Sequence, residues 1–141
     1  MKAFDMAAKD FELLLDRLEP DLLVSDLFQP WAVQAAAARN VPVVNFVVTG
    51  VAVLTRLVHA FCNSGREFPF PEIDFSGHWS SKRGRKVSDE VGRDWALRVF
   101  KCLRMSSDVV LVNTSPEFEG KYIDFLASSF NKKVRSFSFA S

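Results

Sequence analysis

Three features of the sequence predict an α/β domain built on part of a Rossmann-like, doubly wound parallel sheet. Short apolar runs without alternation, at Leu22–Val24, Val41–Val48 and Asp108–Val112, read as strands covered on both faces. Segments with helical apolar spacing separate them, as βαβ units require. Each of these strands also ends in polar residues: Asp26, Thr49 and Asn113-Thr114. Any one of them reads as a cap or turn residue. Together they mark a single rim, the place where ligands bind in open parallel sheets.

In chain order, Met1–Leu18 spaces Phe4, Ala7, Phe11, Leu14, Leu15 and Leu18 along one stripe, an amphipathic helix that Pro20 stops. The first strand follows, and Pro30 suits the first position of the next helix, where a missing N–H costs nothing. Asp26 lies between them, either capping that helix or facing a ligand. Gln29–Arg39 is Ala-rich and helical, with Asn40 as a left-handed stop. The second strand ends at Thr49-Gly50. A third helix runs to about Asn63, with Val51, Leu54, Val58 and Phe61 on its apolar side, Leu57 beside them, and Arg56 and His59 toward its edges.

Asn63–Val87 is a long Gly- and Pro-containing loop with a basic run, Lys82–Lys86, read as a solvated tip or, less readily, an anion or nucleic-acid contact. Ser88 caps the next helix, whose acidic start (Asp89, Glu90) and basic end (Arg98, Lys101, Arg104) match the macrodipole. Val91, Trp95, Val99 and Leu103 form its stripe. After the third strand, Ser115-Pro116-Glu117 opens a helix to about Ser129, and Val134–Phe137 is a candidate fourth strand.

The 141 residues suffice for one domain with a real core, and 48% hydrophobic content with a net charge of +1 fits a folded chain. Near-neutral charge argues against nucleic acid or an anionic membrane as partner. No segment is long and apolar enough to span a bilayer, since Pro42, Asn45, Thr49 and Gly50 interrupt the longest tract. Cys62 and Cys102 have no metal-ligand spacing, so no metal is expected and reduced cytoplasmic thiols are the default. Glycine-rich phosphate loops, G-x-S-x-G and H-E-x-x-H are absent from the sequence. His78 falls in the long loop and reads as solvent-facing. His59 on its helix reads as packing, surface or catalytic. One carboxylate without an assured base is half of an active site.

The runs P-D-L-L-V-S-D-L-F-Q-P-W-A, F-P-F-P-E-I and V-V-L-V-N-T-S-P-E-F-E-G-K-Y-I-D-F-L, in this order from Pro20 to Leu126, resemble the plant UDP-sugar-dependent glycosyltransferases. The flavour is closest to the branch that extends sugars already on a metabolite. The resemblance implies a two-domain GT-B-type fold, with residues 1–134 as part of the N-terminal, acceptor-side domain and 135–141 as a divergent tail. It implies transfer of a sugar, glucose by default, from a UDP-sugar to a hydroxyl of a flavonoid, a terpenoid or another glycoside of plant secondary metabolism, with inversion. The UDP-sugar is a co-substrate, and no cofactor is implied.

In that family a histidine deprotonates the acceptor and an aspartate orients it. Asp26 matches the aspartate through V-S-D-L-F. Phe28 matches an acceptor-contacting position. Thr49 stands one place after Val48, where relatives often carry a hydroxyl that meets the donor sugar. His59 lies on the pocket-facing helix. The family histidine would precede Met1 and the UDP-binding domain would follow, so the 141 residues alone are expected to be inactive. The alternative is a non-catalytic, flavodoxin-like module that holds a small planar ligand at the rim.

Overall fold

The computed structural model describes residues 5–62, 65–73 and 90–137. The basic run Lys82–Lys86, His78 and the Ser88 cap lie outside the described residues. The elements are helix α1 (Ala8–Leu18), β1 (Leu23–Ser25), α2 (Pro30–Ala37), β2 (Val43–Val47), α3 (Val51–Cys62), a 3₁₀ turn (Pro71–Ile73), α4 (Glu90–Met105), β3 (Val109–Val112), α5 (Pro116–Phe130) and β4 (Lys133–Ser136).

The four strands form one parallel sheet in the order β1-β2-β3-β4. Sequential parallel strands all advance in one direction, so Asp26, Thr49 and Asn113 leave the sheet at the same C-terminal edge. The fourth strand forms at Lys133–Ser136, one residue earlier than the expected Val134–Phe137.

Register assigns the two faces. Leu23↔Val43, Ser25↔Asn45, Asn45↔Val110 and Val110↔Val134 share one face, and there Val43, Asn45, Val47, Val110, Val112 and Val134 are buried. Helices pack on that side. Val33 of α2, Val51 and Val58 of α3, and Val99 of α4 are at most 1% exposed, each such burial stabilising by about 1.5–3 kcal/mol.

The opposite face corrects the expectation of strands covered on both sides. Val24 is 56% exposed, Phe137 44%, and Val44, Phe46 and Leu111 are only partly buried. A run that is apolar on both faces looks the same whether or not its second face has a partner, and among the described residues that face is incompletely covered.

Helix α1 brings a second correction. Phe4 lies outside the described residues; of the rest of the expected stripe, only Leu15 is buried and Phe11 half-buried, while Leu14 (47%) and Leu18 (63%) are exposed. The helix touches the body chiefly through α2, where Phe11 meets Trp31 edge-on and Arg39 pairs with Asp16. A single helix–helix seam covers a narrower stripe than a sheet would. The helix ends at Glu19, which is left-handed (φ 44°), one residue before Pro20.

Asn40 (φ 59°) takes the left-handed conformation expected after α2, and Gly65, beyond α3, has φ 92°. Ser115 is the N-cap residue of α5, with Pro116 first in the helix, but its side chain makes no capping bond.

Candidate functional site at the C-terminal edge of the sheet

β1 stops at Ser25, and the next four residues turn the chain into α2. Asp26 organises that turn: the backbone N–H of Phe28 donates to Asp26 Oδ1 at 2.8 Å, an Asx turn, and the side-chain amide of Gln29 donates to the same carboxylate. Gln29, not Asp26, is the N-cap residue of α2. Asp26 therefore holds the turn that leads into α2 and does not cap the helix itself.

A narrow cleft opens beside this turn. Asp26, Phe28, Phe46, Val48, Thr49 and Trp95 are among the residues lining it. Phe28 and Trp95 lie with ring centroids 5.8 Å apart and planes tilted by 35°. The cleft thus brings together one acidic residue, one hydroxyl-bearing residue and three aromatic residues, Phe28, Phe46 and Trp95, in a mostly apolar lining. Its volume of about 10 Å³ holds about one water. Beneath it lies Cys102 of α4, fully buried, whose thiol is pushed up to about 12 by burial and by the nearby Asp26 charge. Such a thiol is inert at neutral pH.

The structure thus brings Asp26, Phe28 and Thr49 together. It does not bring His59 to them. His59 is 6% exposed, correcting the expectation that it lies toward the edge of α3, and its ring packs 5.1 Å from Phe68 and 6.5 Å from Phe125. The signal was present in the spacing: Val51, Thr55 and His59 follow each other at i, i+4 and i+8, a second buried stripe that carries polar residues. Asn113 lies on the same edge, but its backbone N–H is spent on Val47 O at 3.2 Å and it does not line the cleft.

Sequence reasoning missed Glu119. Its carboxylate accepts from the backbone N–H groups of Ala52 (2.9 Å) and Val51 (3.2 Å), capping the start of α3 next to Thr49-Gly50. α5 permits this by departing from helical geometry at Glu119 itself (φ −122°, ψ 16°). Burial pushes the Glu119 carboxyl up, but hydrogen bonds from Thr114 and from the two backbone amides outweigh it, and the net shift is downward.

Among the described residues, no three His, Cys, Asp or Glu side chains converge as metal ligands, and no helix is long and apolar enough to cross a membrane.

Fold and edge together define a Rossmann-like α/β domain whose candidate site lies at the C-terminal rim of β1 and β2. The chain is 38% identical over 135 residues to Mogroside IIIx synthase of Siraitia grosvenorii, covering 94% of this chain and 30% of that protein. It is 32% identical over 132 residues to UDP-glucosyltransferase 29 of Panax ginseng, covering 94% and 29%. In fold it is similar to Glycyrrhiza uralensis UGT73P12 complexed with glycyrrhetinic acid 3-O-monoglucuronide, with a TM-score of 0.69 and 19% identity over 96% of this chain and 30% of that one. No protein-family model matches. The chain is a homologue of the plant UDP-glycosyltransferases and spans about 30% of the length of the curated relatives it matches.

Proposed function

We propose that this chain forms part of the acceptor side of an inverting UDP-sugar-dependent glycosyltransferase, acting on a hydroxyl of a small plant metabolite or its glycoside, with glucose as the sugar. The observation that carries the reading is the placement of Asp26. A half-buried carboxylate ends β1, fixed by its own turn, and shares a cleft with Phe28, Trp95 and Thr49.

The chemistry follows from that placement. An acceptor hydroxyl must lose its proton as its oxygen attacks the anomeric carbon, and a neutral imidazole is suited to take it. A fixed carboxylate hydrogen-bonded to the far side of that imidazole holds the tautomer and balances the charge that develops. Asp26 fills this role toward a histidine supplied from elsewhere in the whole protein. Phe28 and Trp95 offer flat faces to a ring, and Thr49 offers a hydroxyl on the donor side. The UDP-sugar is held mainly by other parts of the protein.

The small volume of the cleft supports this reading over a self-sufficient ligand module. Pockets that enclose small molecules measure about 300–1,000 Å³, far above what these residues enclose by themselves. The 141 residues alone are accordingly proposed to be inactive. Two free cysteines, Cys62 and Cys102, fit a reducing, cytoplasmic setting.

The test is Asp26→Asn in the full-length protein that contains this segment, assayed with UDP-glucose and a panel of metabolite glycosides. Turnover should fall steeply with little change in acceptor KM. Wild-type turnover in this variant would end the reading.

A further inference from the structure

Asn45 stands in the middle of β2, fully buried, between Val43 (3% exposed) and Val47 (1% exposed) on the covered face. A valine there would match its neighbours and suit the strand. Instead, the asparagine places a polar side chain in the core, and its Oδ1 has no hydrogen-bond partner among the described residues. An unpaired buried acceptor is destabilising, so packing does not explain the residue.

Its donor nitrogen does. Nδ2 donates to the backbone carbonyl of Asp26 at 3.2 Å and reaches that of Ser25 at 3.5 Å. The ladder between β1 and β2 ends at the pair Ser25↔Asn45. β1 is only three residues long, so its end is weakly fixed by backbone pairing alone. Asn45 extends the pairing one residue past the last rung, onto Asp26, a residue that lines the cleft. Ser25 Oγ donates to the same Asp26 carbonyl at 3.2 Å. On its other side, Asp26 holds the turn through Phe28 N–H.

We infer that Asn45 is a positioning residue: it clamps the main chain of Asp26 and so fixes where the carboxylate points. This rests on the role proposed for Asp26, and the experiment separates the two. In the full-length protein, Asn45→Val should lower kcat by about ten- to a hundredfold, the scale of a misplaced catalytic group, with KM within about twofold. The variant loses the Nδ2 bonds along with the orphaned Oδ1, two opposing effects, so the melting temperature should shift by only a few degrees. In an Asp26→Asn background, adding Asn45→Val should change kcat by less than about twofold, since residues acting through one group are non-additive.

Loss of turnover with Asp26→Asn but none with Asn45→Val overturns the clamp and leaves the Asp26 role standing. Full activity of Asp26→Asn overturns that role instead. Additive losses assign Asn45 to general stability and overturn the clamp. A readout that needs no variant is the Asn45 side-chain amide itself. In the unaltered protein its protons should be protected from exchange as strongly as the Phe28 backbone N–H, and free exchange would overturn the clamp even if Asn45→Val failed to fold.

Discussion

Asp26 and Glu119 are both half-buried carboxylates close to the C-terminal edge of the sheet, and both accept backbone N–H groups, but their partners differ in kind. Asp26 is engaged by Phe28 and Gln29, two and three residues away in sequence. Glu119 is engaged by Val51 and Ala52, 68 and 67 residues away, and by Thr114. The first carboxylate shapes a local turn, and its residue lines the cleft. The second ties α5 to the start of α3 and has both oxygens committed to backbone donors. A carboxylate held within one turn shapes the chain around it, whereas one reaching across 67 and 68 residues joins two helices.

The largest effect expected from this contrast is kinetic. Asp26→Asn in the full-length enzyme should reduce kcat by about 10²–10⁴-fold, the usual contribution of positioned acid–base groups. Asparagine still forms the Asx turn, so calorimetry should show only a small change in melting temperature. Equal losses of rate in Asp26→Asn and Glu119→Gln would erase the distinction.

Next comes stability. Glu119→Ala leaves the first amides of α3 without their acceptor and should cost about 1–2 kcal/mol, the upper range for a helix cap. Urea denaturation measures it, and an unchanged midpoint would show that α3 needs no cap from α5.

A smaller effect is the pH dependence of the same contact. The folded Glu119 carboxyl lies below its unfolded value, so its contribution is fully present above the unfolded pKa and is lost as pH falls through the folded one. Between pH 6 and pH 3, wild-type stability should therefore fall more steeply than that of Glu119→Gln. Parallel curves would remove the ionic part of the cap.

The smallest effect concerns the incompletely covered face of the sheet. Val24→Lys places a charge at a position already 56% exposed. It should change stability by less than about 0.5 kcal/mol while lowering hydrophobic-dye binding and self-association. Unaltered dye binding would locate the adhesive surface elsewhere.

The same contrast explains what could be read from the sequence. Strand positions and their shared edge follow from short apolar runs and the residues that end them, and the Asp26–Phe28–Thr49 grouping follows from that edge. The Glu119 cap could not be found this way, because within its own helix Glu119 looks like one more acidic first-turn residue beside Glu117. The link exists only after α3 and α5 pack together. His59 was misplaced for a related reason. Its helix was clear, but the rings that bury it, Phe68 and Phe125, come from two other segments. Leu14 and Leu18 failed in the opposite sense: apolar periodicity reports what a helix is able to bury, and the seam with α2 covers less.

The sequential order of the strands also bears on how the chain folds. The connection from β1 to β2 spans residues 26–42, and that from β2 to β3 spans 48–108, roughly fourfold longer, which adds about 1 kcal/mol of closure entropy. The sheet is therefore expected to assemble from two local units, β1-α2-β2 and β3-α5-β4, that meet along the β2–β3 seam. Asn45 and the Asp26 turn belong wholly to the first unit, so pulse-labelled hydrogen exchange should protect the Phe28 N–H before the amides that pair β2 with β3. Simultaneous protection would remove this order, in which the cleft closes only when Trp95, from the connection between the units, is in place.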